Sequence, residues 1–250
     1  MRGARRSAVA LALAVWAGGP AAGAERACAQ GLGAMACLEA PVDRYGHAVL
    51  GATPEWSVLS LTAGDARAAV ALPTEKIFED VAPRIVDVDG DGTAEVVVVE
   101  ASRTGGARLA VYGVARGAEG AALRVIAATP EIGTRNRWLA PAAWADLNGD
   151  GALDLAFVDR PHLAGVLRAW TFADGALREA AAQAGFSNHR IGDAYILSGV
   201  RVCGGATEVV LPDFAWSELR AARLGPEGWT WRRIEGAPTR EGLAQALAAC

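Results

Sequence analysis

Lysine, histidine and methionine are scarce in this sequence of 250 residues. Lys76 is the only lysine, so almost all of the positive charge is carried by arginine, and there are only three histidines and two methionines. The formal net charge is −4 at pH 7, and removal of the arginine-containing N-terminus would make it more negative. Nucleic-acid binding relies on clustered Lys and Arg, so this function is disfavoured.

Common catalytic and metal-binding motifs are also missing. The sequence has no Cys-x-x-Cys, His-Glu-x-x-His, Gly-x-Ser-x-Gly or phosphate-binding glycine loop. Its histidines, His47, His162 and His189, lie far apart in the sequence. Beyond the N-terminus, no run approaches the 18 or so apolar residues that a transmembrane helix needs. Zinc, serine-hydrolase and nucleotide sites therefore have little support, and no transmembrane segment is expected after residue 24.

The first 24 residues have the organisation of a secretory signal peptide. Three arginines (Arg2, Arg5 and Arg6) precede an apolar core from Ala8 to Gly18, and Ala22-Gly23-Ala24 is a small-residue cleavage site. We therefore expect a cleaved signal peptide at 1–24, a single mature domain at 25–250, and a periplasmic or secreted location.

Four cysteines, all in the mature part, suit an oxidising compartment. Three pairings are available to Cys28, Cys37, Cys203 and Cys250. The spacing favours Cys28–Cys37, which closes a short local loop, and Cys203–Cys250, which would tie the C-terminus to the last repeat.

The most informative stretch is an acidic, glycine-containing loop at 87–95. Its carboxylates alternate with small residues, an arrangement that would be strongly repulsive on an ordinary strand. A tight turn can instead wrap such oxygens around Ca²⁺, which binds oxygen ligands at about 2.3–2.6 Å. The predicted ligands are Asp87, Asp89, Asp91, the carbonyl of Thr93, and Glu95.

A second copy of this loop occupies 146–154. It places equivalent ligands at Asp146, Asn148, Asp150, the Ala152 carbonyl and Asp154. An EF-hand needs a bidentate Glu at the twelfth loop position, where these two loops have Val98 and Phe157. Short apolar runs flank both loops, so each is predicted to connect two strands and to hold one Ca²⁺.

These paired loops resemble the FG-GAP/VCBS family of calcium-loop repeats, which occurs in integrin α-chain propellers and in many bacterial secreted proteins. The resemblance rests on Asp87–Glu95 and Asp146–Asp154 with the strands that follow them. It implies β-propeller blades with calcium held in a strand-connecting loop, and it implies no activity.

Repeats extend beyond the two loops. Aligning the chain on Glu55, Glu95, Asp154 and Glu208 gives four units, at about 41–78, 79–133, 134–190 and 191–236. We expect an all-β fold, a small β-propeller of about four blades, or alternatively five, each a four-stranded antiparallel sheet. An incomplete propeller that closes by pairing with another chain is the alternative. In the outer units Arg201 and the segment 47–51 replace the acidic loop, so no metal is expected there. The C-terminal segment 237–250 is predicted to contain a short helix with Thr239 as its N-cap.

A second, weaker sequence repeat predicts a ligand-binding surface, called the ligand face below. Gly-x-x-Asn-polar segments precede the first strands of two units, and equivalent loops of a propeller converge on one face. The candidate residues are Lys76, Arg135, Asn136, Arg137, Asn188, His189 and Arg190. They could bind an anionic ligand or an acidic partner. Alternatively, these cations pair with acids at strand ends, such as Glu100, Asp159 and Asp213.

The sequence as a whole favours an exported calcium-binding repeat protein that acts as an interaction scaffold, with a protein or glycan partner that it does not identify. Two alternatives stay open. Exposed tryptophans on one rim would favour a glycan-binding lectin, whereas unpaired Asp, His and Arg at the channel mouth would favour a hydrolase. Trp138, Trp144, Trp170 and Trp229 are expected to pack between blades instead.

Overall fold

The computed structural model describes residues 25–118 and 120–250. The predicted signal peptide at 1–24 lies outside the described residues. The described chain forms seventeen strands and one helix.

Four units of strands follow one another along the chain. The first contains β1 (Arg26–Gly31), β2 (Ala34–Val42), β3 (Glu55–Ala63) and β4 (Ala66–Ala71). The second contains β5 (Lys76–Phe78), β6 (Arg84–Val86), β7 (Glu95–Ser102), β8 (Gly106–Gly117) and β9 (Gly120–Ala128). The third contains β10 (Leu139–Ala145), β11 (Asp154–Asp159), β12 (Val166–Ala173) and β13 (Ala176–Ala184). The fourth contains β14 (Gly199–Cys203), β15 (Ala206–Pro212), β16 (Leu219–Gly225) and β17 (Gly228–Ile234), and helix α1 (Arg240–Ala248) follows.

Within each unit neighbouring strands pair in antiparallel order. The third and fourth units are separate four-stranded sheets, whereas the first two are joined into a nine-stranded sheet. The junction consists of a parallel contact between β4 and β9, with Ala69 opposite Ala122, and of Trp56 in β3 opposite Phe78 in β5. The prediction of an all-β fold built from four-stranded antiparallel blades, with a short C-terminal helix, is confirmed.

The first unit begins earlier than the sequence alignment predicted. The predicted unit at 41–78 omits β1 and β2, and Glu55 starts the third strand of its sheet rather than the second. The cause is the short connection between β1 and β2, a two-residue turn with positive φ at Leu32 (49°) and Gly33 (70°). Such a type I′ turn needs no carboxylates, so the acidic signature used for the alignment is absent there. The segment 47–51 lies in the connection between β2 and β3.

Three apolar interfaces join consecutive units, because alternate residues of each strand point to opposite faces of its sheet. Leu59 and Val98 belong to the interface between units 1 and 2, Val97 and Leu155 to that between units 2 and 3. Val158 and Leu211 belong to the interface between units 3 and 4.

The other face of unit 4 packs against α1, through Leu243 and Ala246 on Val210, Leu219 and Ala221. Among the described residues, no hydrophobic cluster combines strands of units 1 and 4. Strands β1, β6, β10 and β14, together with α1, surround a cavity of about 2300 Å³.

Both favoured disulfides are present. Cys28 and Cys37 lie opposite each other in β1 and β2, and Cys203 at the end of β14 is bonded to Cys250 after α1. Thr239 caps α1 as predicted, because its side-chain oxygen accepts a hydrogen bond from the Gly242 amide at 3.1 Å. The second disulfide therefore fixes the end of α1 to unit 4.

Candidate metal centre

The first acidic loop connects β6 to β7. Gly90 and Gly92 have φ values of 76° and 84°, which glycine adopts readily because it lacks a Cβ atom. The turn folds the loop back on itself, so that the Gly92 amide donates to Oδ2 of Asp87 at 3.0 Å. The Val88 amide donates to Oε2 of Glu95 at 2.9 Å. Both ends of the loop are thereby fixed by their own backbone.

Three carboxylates of this loop converge. One oxygen each from Asp87, Asp89 and Glu95 lies within 4.8 Å of the others. Oδ1 of Asp87 is buried without a hydrogen-bond partner, and an unpaired buried carboxylate oxygen is costly unless a cation satisfies it. The donor set is all oxygen, which suits a hard divalent cation. These observations fit a Ca²⁺ held at this position.

Burial affects the middle and the end of the loop differently. Burial raises the pKa of Glu95, and the hydrogen bonds from Val88 and Thr93 offset only part of that effect. Asp91 is exposed, and hydrogen bonds from the Thr93 hydroxyl (2.6 Å) and amide (2.7 Å) lower its pKa. Asp91 is therefore engaged with Thr93, outside the group of three converging carboxylates.

The second loop connects β10 to β11 and has the same backbone pattern. Oδ2 of Asp146 accepts from the Gly151 amide at 3.0 Å, and Oδ2 of Asp154 accepts from the Leu147 amide at 3.1 Å. Asn148 and Asp150 are joined by a side-chain hydrogen bond of 2.9 Å. The backbone amide of Ala152, whose carbonyl is the fifth predicted ligand, donates to Asp150 at 2.8 Å.

Asp154 is fully buried, and it differs from Glu95 in its neighbour. The Thr171 hydroxyl on β12 donates a short hydrogen bond to Oδ1 of Asp154, whereas the corresponding position opposite Glu95 on β8 is Gly113. Burial raises the pKa of Asp154, and Thr171 counteracts this. The two loops therefore share a backbone but not the surroundings of the closing carboxylate.

The fourth unit has an arginine where the loops have acids. Arg201 and Glu208 are both buried, and Arg201 Nη2 lies 2.8 Å from Glu208 Oε2. Arg223 and Arg232 contact the same carboxylate at 2.7 and 3.0 Å. Burial acts to raise the pKa of Glu208, but the arginines outweigh it and hold the pKa below its ordinary value. In unit 4 the Arg201 guanidinium therefore supplies a positive charge beside Glu208, which is the residue equivalent to Glu95 and Asp154.

The predicted ligand face is mostly occupied by internal contacts. Lys76 pairs with Glu100 at 2.5 Å, and Arg135 donates to the Tyr45 carbonyl at 2.8 Å. The Asn136 backbone amide donates to the Tyr45 hydroxyl, and Arg137 contacts the Asn136 carbonyl.

The alternative, in which the cations of this face pair with acids at strand ends, is seen for Lys76 with Glu100. Asp159 pairs with Arg160 and Arg168 instead, and Asp213 accepts from backbone amides.

The residues of that face that lie between β13 and β14 differ in exposure. Asn188 and His189 are buried, whereas Arg190 is exposed and lies 4.1 Å above the Trp216 ring. Asn188 donates to the carbonyls of Ala140 and Pro141 in unit 3. This contact ties the loop before β14 to β10.

All three histidines lie on this side of the molecule, which their sequence spacing did not reveal. His162 Nε2 lies 2.9 Å from His189 Nδ1, and Trp138 contacts both rings. His47 is hydrogen-bonded to Glu79 at 2.8 Å, and the Trp138 indole donates to the Glu79 carbonyl. Burial raises the pKa of Glu79 and lowers the pKa of His189 to about 4. Because the contacts join loops of all four units, only the folded chain brings these residues together.

The comparisons with known proteins agree with the repeat. Residues 87–157 match the model of the FG-GAP-like repeat family, a segment that contains both acidic loops. No curated protein is significantly similar to the chain. Within the part of the chain that the structure describes, no helix has the length and apolar character needed to span a membrane.

Proposed function

We propose that this chain, whose segment 87–157 is an FG-GAP-like repeat, is an exported calcium-binding scaffold that acts by binding a partner. The observation that carries the calcium assignment is the convergence of Asp87, Asp89 and Glu95 around a buried, unpartnered oxygen of Asp87. The second loop supports the same role, because its backbone hydrogen bonds repeat those of the first.

Calcium would be structural in this proposal. Asp87, Asp89 and Glu95 would hold one ion, with Asp91 and the Thr93 carbonyl completing the oxygen set, and Asp146, Asn148, Asp150, Ala152 and Asp154 would hold the other. Each ion would offset the repulsion among the carboxylates of a loop, which connects β6 to β7 in unit 2 and β10 to β11 in unit 3. Extracellular calcium modules bind at about 10⁻⁴–10⁻³ M, so occupancy would require a calcium-rich compartment.

Export is supported by the signal-like residues 1–24 and by the two disulfides. Disulfides persist in secreted and periplasmic proteins and are rare in the cytosol. A periplasmic or secreted location also fits the calcium affinity expected for such loops.

The lectin alternative gains no specific observation. Of the tryptophans expected to pack between blades, Trp138 and Trp229 are buried and Trp144 and Trp170 are half-buried. Only Trp231 among the described tryptophans is substantially exposed, so no aromatic rim favours a lectin.

Calorimetric titration of the protein lacking residues 1–24 with CaCl₂ tests the assignment. Two sites are expected; Asp89→Ala should remove one and Asp150→Ala the other. Asp65→Ala, which removes an exposed acid from the β3–β4 turn, should retain both. Wild-type protein without calcium binding, or variants with both sites intact, would refute the proposal.

A further inference from the structure

The cavity of about 2300 Å³ between β1, β6, β10 and β14 is too large for a typical small-molecule site. Such sites usually measure about 300–1,000 Å³. One wall is β1, another is formed by β6 and β10, and a third by α1 with the segment before β14. Its exposed rim includes Asp89 and Asp150 from the acidic loops and Asp174 from the turn between β12 and β13. The volume suits an extended segment of chain.

One wall has a free strand edge. Because β1 and β2 are joined by a two-residue turn, the flanking pair Gly31 and Ala34 exchanges backbone hydrogen bonds, as do alternate pairs along the hairpin. The N–H and C=O groups of Arg26, Cys28 and Gln30 therefore point away from β2. Among the described strands β1 pairs only with β2. An incoming strand can use these groups, as in recognition by strand addition.

The wall formed by α1, the segment before β14 and the adjoining part of unit 3 is apolar. Leu243 and Leu247 of α1, Ile196 before β14 and Trp144 and Phe172 of unit 3 line the cavity. A strand added to β1 would place alternate side chains on this wall and the others towards the rim.

The rim is acidic. The carboxylates of the two loops outnumber the charge that two divalent ions supply, and Asp174 and Glu241 add to them. Three arginines line the cavity. Arg84 is paired with the buried Asp80, whereas Arg26 and Arg240 are exposed, and together with two divalent ions these two still leave the acids of the loops, Asp174 and Glu241 in excess. An occupant with positive side chains therefore complements the rim, and one with negative side chains is repelled.

We propose that this cleft binds an extended, basic peptide segment that adds as a strand to the free edge of β1. The inference rests on the scaffold role proposed above and names its partner class. The apolar residues of the segment contact α1 and unit 3, and its Lys or Arg side chains face the acidic rim.

A six-residue peptide alternating lysine and valine, matched in length to β1, is the probe, and fluorescence anisotropy with calcium present is the measurement. A peptide with glutamate in place of lysine should bind at least about tenfold more weakly. Equal binding of the two peptides, or no binding of the lysine peptide, would overturn the proposal.

Two pairs of variants locate the binding. Gln30→Pro removes one free-edge N–H without touching the β1–β2 hydrogen bonds and should weaken binding about three- to tenfold, the range for one hydrogen bond. Gln30→Ala keeps that N–H and should bind as the wild type does. Asp174→Asn should weaken binding at low salt, whereas Asp65→Asn, on the distant β3–β4 turn, should not.

Calcium titration of the same variants separates this inference from the calcium assignment. Gln30→Pro is expected to keep both calcium sites while losing peptide affinity. Peptide binding in a wild-type protein that fails to bind calcium would leave the cleft intact and refute the metal assignment. Gln30→Pro binding the peptide as the wild type does would overturn strand addition. A dimer in sedimentation that Gln30→Pro dissociates would show that a second copy occupies the cleft.

Discussion

Glu95 and Asp154 are the first residues of β7 and β11, Glu208 lies near the start of β15, and each needs a positive charge because each is buried. Two have the oxygen-rich loops that suit Ca²⁺, and the third has the Arg201 guanidinium. Arg201 also donates to the Ala246 carbonyl at 2.5 Å, near the C-terminal end of α1. The side-chain cation therefore links a blade to the helix, which a metal-binding loop on the surface does not do.

Replacing Arg201 by methionine should lower the free energy of unfolding by about 3 kcal/mol, because it leaves a buried carboxylate with weaker partners. Urea denaturation measures this. The exposed pair of Arg67 with Glu39 is the control, and Arg67→Met should cost less than about 1 kcal/mol. Equal costs for the two variants would show that the buried pair has no special role.

The His189 imidazole introduces a pH dependence. Its pKa is lowered to about 4 by burial, so the folded state binds fewer protons than the unfolded state between that value and about 6.5. The free energy of unfolding is therefore not reduced by His189 above pH 6.5, and it falls by roughly 3 kcal/mol as the pH decreases towards 4. His162, whose pKa burial also lowers, adds in the same direction.

Urea denaturation at several pH values between 4 and 7 tests this. His189→Gln should flatten the profile relative to the wild type, because glutamine does not titrate. If the free energy of unfolding depended on pH in the same way in both proteins, His189 would not be the source of the pH dependence.

At the scale of single elements, α1 takes the place that a neighbouring blade would have on the outer face of unit 4. Its start is defined by Thr239 and its end by the disulfide to Cys203. Leu243 and Ala246 cover the apolar face of the sheet. Terminal units of repeat folds need such a cap because one of their faces has no neighbouring repeat.

Removing the N-cap should destabilise this element measurably. Thr239→Ala is expected to lower the free energy of unfolding by about 1 kcal/mol. Thr230→Ala, at an exposed position of β17, should change it by less than about 0.5 kcal/mol. Urea denaturation compares the two, and no difference between them would mean that α1 frays without cost.

The elements that could be predicted from the sequence are those with local signals. Alternating Asp and Gly predicted both connecting loops, and Thr239 predicted the start of α1, because turns and caps depend on neighbouring residues. The first unit was misaligned because the turn at Leu32 and Gly33 has no acidic signature. The contacts of His47, His162 and His189 were not predicted, because they depend on the packing of loops from different units.

At the scale of the whole molecule, we propose that two calcium ions stabilise two consecutive units, whose loops both lie in the segment 87–157 that matches the FG-GAP-like repeat model. Units 2 and 3 share an interface that includes Val97 and Leu155, each two residues or fewer from the acid that closes a loop. Ordering either loop therefore supports the same core. At about 100-fold excess over its dissociation constant, each ion would add roughly 2.7 kcal/mol.

The most direct measurement is the melting temperature of the protein lacking residues 1–24, in excess CaCl₂ and in excess chelator. Calcium should raise the midpoint by about 5–10 °C per site, since 1 kcal/mol corresponds to about 2–4 °C for a domain of this size. Asp89→Ala and Asp150→Ala should each lose part of that increase, and the double variant all of it. An identical midpoint in calcium and in chelator would contradict the account.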